Sequence, residues 1–188
     1  KQLIKRDNRL KLEVEASHPL SYLSQELIEI FPNAKFIVTI REPYSWLASR
    51  LNFHYKKKPP EWAEYRKYFW VDKNTKYDDE EKALQNYGLC TLDTYLKQYS
   101  EQYKLIFENV PREKVLVIKT HELDSSVKEI EKFINAPPYS IHMPTTNKET
   151  NKISIMSQIN NEFIMKKIWN NCNEIINSHF PDTINNYK

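Results

Sequence analysis

Glycine occurs once in this 188-residue chain, at Gly88, against an average usage of about 7%. Glycine lets a backbone turn through positive φ and approach an anion closely, so every glycine-rich phosphate loop needs several. None can be built here. Gly88 itself falls inside a helical pattern. Recognition of an anion in such a chain therefore falls to cationic side chains and helix N-termini.

The pattern of apolar residues gives the architecture. Residues 35–40, KFIVTI, are a continuous β-rich run, as a strand buried on both faces requires. KVLVIK, residues 114–119, is a second such run. Residues 12–15, LEVE, are short but strand-like. Between these lie helical periods. Leu20, Leu23, Leu27 and Phe31 predict a helix over 20–31, broken by Pro32-Asn33. Pro43 suits a first helical turn, with Leu47 and Leu51 facing inward. Leu84, Tyr87, Thr91, Tyr95, Tyr99, Tyr103 and Ile106 predict one long amphipathic helix from Glu80 to about Phe107. Val127, Ile130, Phe133 and Ile134 predict another over 125–135, and Ile159 to Ile176 a last one over 155–177. Strands alternating with helices predict an α/β fold, a three-layer sandwich with a parallel sheet covered on both sides.

Composition removes several function classes. The length suits one domain with a real core. The chain is 40% hydrophobic and 28% charged, within the range of globular proteins. It holds no apolar run of about 18 residues, the least a spanning helix needs. A net charge of +3 is too small to make nucleic acid the main partner, though it allows a local anion site. Cys90 and Cys172 have neither metal-ligand nor disulfide-framework spacing and read as two buried thiols. Histidines 54, 121, 142 and 179 show no ligand spacing. The opening KQLIKRDNRLKLEVE has no initiator methionine and no signal-peptide core. The expectation is a cytoplasmic chain that extends upstream of Lys1.

The strand-to-helix junction IREPYSWLASR carries the chemistry. In an open α/β sheet, ligands sit beyond the carboxyl ends of the strands. Arg41 ends the strand there, and a helix N-terminus follows. Together they make a two-pronged receptor for phosphate or sulfate. Ser49 lies eight residues after Arg41, about two helical turns, and so returns to the same side. A salt-bridged arginine and a surface serine are the bland alternative.

The segment SHPLSYLSQELIEIFPNAKFIVTIREPYSWLASRLNFHY resembles the sulfotransferases that use 3′-phosphoadenosine 5′-phosphosulfate (PAPS). VPREKVLVIKTHELDSSVKEIEKFINA resembles a later strand–loop–helix of the same superfamily. The resemblance implies a P-loop-like α/β fold. It implies transfer of a sulfuryl group from PAPS to a hydroxyl or amine, leaving 3′,5′-adenosine diphosphate, with no metal. It implies that Arg41 and Ser49 bind the 3′-phosphate. His18, twenty-three residues before Arg41, is then the candidate general base, since an imidazole titrates near neutral pH. Glu15 is the runner-up, as a carboxylate base. Asn147, Lys148 and Lys152 of TTNKETNK lie about where the family has a late basic loop and are the remaining nucleotide contacts implied.

Two features of the family have no counterpart: the glycine-bearing loop for the 5′-phosphosulfate, and glycine in the late loop. The expectation that follows is that residues 1–188 alone neither fold stably nor transfer sulfate. Residues 56–78 are basic, aromatic and proline-broken. Trp62, Tyr65, Tyr68, Phe69 and Trp70 there predict either a lid over an acceptor pocket or plain packing of a surface excursion. Their interleaving with lysines also allows stacking on single-stranded nucleic acid, against which the mild charge argues. A kinase would want a Walker lysine and Mg²⁺-binding acids, and no such pair stands out. A non-catalytic nucleotide- or partner-binding domain is the alternative function.

Overall fold

The computed structural model describes residues 2–56, 70, 76–142 and 155–187. The two β-rich runs form β1 (Phe36–Ile40) and β2 (Val115–Lys119). They pair in parallel, Phe36 opposite Val115 and Ile40 opposite Lys119. The rest of the described chain is mostly helical. The chain is thus α/β, with a parallel sheet of two strands among the described residues.

The side chains of β1 alternate. Val38 and Ile40 are buried, while Ile37 is 40% exposed. The expected burial of both faces therefore holds on one face only. The buried face joins a core that runs from Val38 to Tyr187. Ile118, on the opposite face of β2, is buried apart from that core, as is Ile130.

LEVE forms no strand. Leu12 and Val14 are 49% and 76% exposed, and no described strand lies beside them. A lone strand leaves its N–H and C=O groups without a ladder, so alternation by itself is not enough. The chain instead opens with helix α1 (Gln2–Leu10). Arg6 of α1 holds Glu15 in a two-pronged ion pair.

The 20–31 helix begins as a 3₁₀ turn, His18–Leu23, and continues as α2 (Ser24–Ile30). Helix α3 (Pro43–Lys56) follows β1 directly. The long helix expected from Glu80 to Phe107 is two: α4 (Lys82–Asn86) and α5 (Leu92–Asn109). Gly88 breaks it, with φ of 64°. Leu89 N–H returns to Leu84 O and Gly88 N–H to Gln85 O, both at 2.9 Å, the double closure of a glycine-terminated helix. Thr91, expected on the inward helical face, caps α5 by accepting from Thr94 N. Helix α6 (Val127–Ile134) ends the same way at Asn135, φ 59°.

After a 3₁₀ turn at Ile155–Gln158, α7 (Asn161–His179) starts from an Asn160 cap. Helix α5 is the hub and packs on α2, α3 and α7. Its buried residues Leu92, Tyr95, Leu96, Tyr99 and Tyr103 make one stripe. Burial pushes the Cys172 thiol up to about 12 and the half-buried Cys90 thiol to about 11, so both stay protonated at neutral pH. No described helix is long and apolar enough to cross a membrane.

Candidate functional site

The carboxyl end of β1 is tied down from two sides. Tyr103 Oη donates to Thr39 O at 3.1 Å, and Tyr99 Oη donates to Arg41 O at 2.7 Å. From the β2 side, Thr120 Oγ1 donates to Ile40 O at 3.1 Å. Three successive carbonyls are thus fixed where the strand hands over to α3. The Arg41 side chain leaves this anchored backbone into an exposed position, and its Nε donates to Ser45 Oγ at 3.1 Å.

The first turn of α3 is not open to a ligand. The Glu42 carboxylate accepts from Tyr44 N at 3.0 Å and Ser45 N at 2.8 Å, and Pro43 has no N–H to offer. Trp46 N is already bonded to Glu42 O. The helix-terminus prong of the expected receptor is therefore occupied by the chain's own carboxylate, which the positive end of the helix dipole favours. Among the described residues, attraction for an anion at this junction falls to arginine.

Arg41 and Ser49 do come together. They line one small cleft of about 220 Å³ with Trp46, Arg50 and Phe53. Trp46, Ser49, Arg50 and Phe53 stand at i, i+3, i+4 and i+7 on α3, a single helical stripe. The periodicity that returns Ser49 toward Arg41 also places Arg50 there, a residue the sequence reading passed over. The Arg50 guanidinium lies 5.3 Å from the Trp46 ring centre and 5.5 Å from that of Trp70. Both indoles are buried, at 8% and 3% exposure.

His18 is half-buried at the start of its 3₁₀ turn. Its ring stacks 6.5 Å from Trp70 and tilts 5.9 Å from Tyr22. Burial, then the positive charge of Arg50, lowers its pKa below the ordinary histidine value, with a hydrogen bond to Gln102 partly opposing. A run of contacts thus links His18 through Trp70 to Arg50 and the cleft, although His18 does not line the cleft itself. Glu15, paired with Arg6, is not among the lining residues either. Asn147, Lys148 and Lys152 lie outside the described residues, as do Trp62, Tyr65, Tyr68 and Phe69. Trp70 is described, and it packs inward on His54 and Tyr95.

The histidines give a pH prediction. His179 is lowered as well, by burial and then by the charges of Arg112 and Lys119. Groups whose folded pKa lies below the unfolded value of about 6.5 bind fewer protons in the folded state. Their stability contribution is complete above about pH 6.5 and is lost as pH falls through the folded pKa values. Urea midpoints should fall from pH 7.5 to 5.5, and less steeply in a His18→Gln/His179→Gln double variant. An equally steep fall in that variant would place the acid sensitivity elsewhere.

A family model described as a sulfotransferase domain matches residues 11–152. That span holds β1, β2, α2 to α6 and every described residue of the cleft. Searches of curated proteins and of solved structures give no match. A match that covers well over half of the chain, and that contains the cleft at the end of β1, places this protein in the sulfotransferase domain family.

Proposed function

We propose that the chain transfers a sulfuryl group from PAPS to a hydroxyl or amine acceptor, with Arg41 and Ser49 holding the 3′-phosphate of the nucleotide. The observation that carries this reading is their joint place in one cleft at the end of β1. A cleft of about 220 Å³ is below the usual 300–1,000 Å³ of small-molecule sites. It suits a phosphate-bearing part of a nucleotide rather than the whole of one. Asn147 and Lys148 complete the nucleotide contacts in this reading.

The acceptor oxygen or nitrogen attacks sulfur in line as the bond from sulfur to the bridging phosphate oxygen breaks. The electron pair leaves with 3′,5′-adenosine diphosphate. The acceptor proton goes to the His18 imidazole, whose pKa burial and the Arg50 charge lower, favouring the neutral form that accepts a proton. Orientation and cationic charge supply the rest. The sheet in this reading is the three-layer kind. Supporting it, Ile118 and Ile130 are buried apart from the main core, as a second helical layer would leave them.

Arg41→Ala tests the phosphate assignment. Loss of a hydrogen bond to a charged group costs about 1.5–3 kcal/mol. Affinity for 3′,5′-adenosine diphosphate should fall by about that much, and affinity for 5′-AMP, which lacks the 3′-phosphate, much less. Equal losses in calorimetry would refute the assignment. A second reading, nucleotide binding without transfer, draws support from Glu15, the runner-up base, being held by Arg6. Retention of nucleotide binding with no sulfated product across a panel of alcohols and amines would favour it.

A further inference from the structure

Two guanidinium groups share the cleft, and only Arg41 was foreseen there. Arg50 is held by aromatic rings. Its guanidinium lies within 5.5 Å of two buried indole rings, Trp46 on its own helix and Trp70 from outside it. Stacking on aromatic faces holds a planar cation in one orientation. Ser49 is its neighbour in the chain and in the cleft. Like charges lining one small cleft repel each other, and an anion shared between them turns that repulsion into attraction.

The charge on the shared anion then matters. A phosphomonoester carries two negative charges above its second pKa of about 6. A phosphodiester or a sulfate ester carries one. Two arginines attract the first more strongly than the second. Because α3 has no first-turn N–H to give, with Glu42 on Tyr44 N and Ser45 N, the selection among the described residues rests on the arginines.

We propose that Arg50 is a second anion-binding residue of this cleft, and that with Arg41 it selects a dianionic phosphomonoester over monoanionic esters. The proposal rests on the nucleotide reading above for the identity of that group, but Arg50's role is separable from it. Calorimetry on the full chain, wild type against Arg50→Gln and Arg50→Lys, decides it with three probes: adenosine 3′-phosphate, its methyl phosphodiester, and inorganic phosphate.

Wild type should prefer the monoester to the diester by about 10- to 100-fold, the worth of one charge-assisted contact. Arg50→Gln should lose affinity for the monoester by a similar factor and lose the preference. Arg50→Lys keeps the charge but not the stacked planar fork, and should recover only part of both. Wild-type affinity and preference in Arg50→Gln overturn the proposal. If that variant fails to unfold cooperatively, wild-type affinity and preference in Arg50→Lys overturn it instead. Arg50-dependent binding of inorganic phosphate, with no binding of either adenosine probe, keeps the proposal and defeats the nucleotide reading. Nucleotide binding that depends on Arg41 but not on Arg50 does the reverse. Wild type that binds none of the three defeats both.

Discussion

Under the proposed mechanism, His18→Ala is expected to lower sulfuryl-transfer turnover by about 10²–10⁴-fold, the usual range for removal of a general base, with nucleotide affinity nearly unchanged. Affinity is spared because His18 stands beside the cleft rather than in its lining. The size of the effect follows from the state of the ring. A base must be unprotonated before it acts, and burial with the Arg50 charge lowers the His18 pKa. The imidazole is then ready at neutral pH, and the acid limb of the rate profile should lie below the ordinary histidine value of about 6.5. Arg50→Gln removes one cause of that lowering and should move the acid limb upward. A merely structural histidine would not shift the profile in that way. Turnover in His18→Ala equal to wild type, measured as sulfated product from any acceptor the enzyme uses, would sink the assignment.

The sequence reveals most where local and tertiary demands agree. KFIVTI and KVLVIK are strands because β-branched residues suit a pleated, half-buried surface, and the fold gives each run a neighbour. LEVE has a similar local pattern but no described neighbour, and it stays out of a strand. Pairing is a tertiary fact that alternation cannot carry. Gly88 shows the converse. Leu84 and Tyr87 before it and Tyr95 and Tyr99 after it keep helical spacing, so the period runs across a real break. The glycine was itself the signal, since a left-handed residue closing a helix is most often glycine. Asn135 plays that part for α6 at φ 59°.

Within the candidate site, Arg41 and Ser49 were legible through their spacing, and Arg50 was legible by the same rule once the whole helical stripe is counted. The capping role of Glu42 was also within reach: an acid directly before Pro43 at a helix start is favoured by the dipole. The place of Trp70 beside Arg50 was not, because the two stand twenty residues apart in sequence and meet only in the fold.

Tyr99→Ala is expected to cost about 3–5 kcal/mol of folding stability, the range for emptying a buried aromatic site. Tyr99→Phe should cost only about 1–2 kcal/mol, yet also weaken the cleft. Tyr95, Tyr99 and Tyr103 stand at i, i+4 and i+8 along α5, one above the other. Each hydroxyl reaches a different point around the site. Tyr95 Oη meets His54 Nδ1 at 3.0 Å, Tyr99 Oη donates to Arg41 O, and Tyr103 Oη donates to Thr39 O. The rings pack as they reach: Tyr99 lies 4.9 Å from Trp46 and 5.0 Å from Tyr103. Burial raises the Tyr99 phenol far above its ordinary value, so it remains a donor at any ordinary pH. Phenylalanine keeps the packing but leaves the Arg41 carbonyl without this donor. Only that change should loosen the arginine. Affinity for 3′,5′-adenosine diphosphate should therefore fall in Tyr99→Phe, and the fall should vanish when Arg41 is already alanine. Additive losses in the double variant would show that Tyr99 supports the core and has no part in placing Arg41.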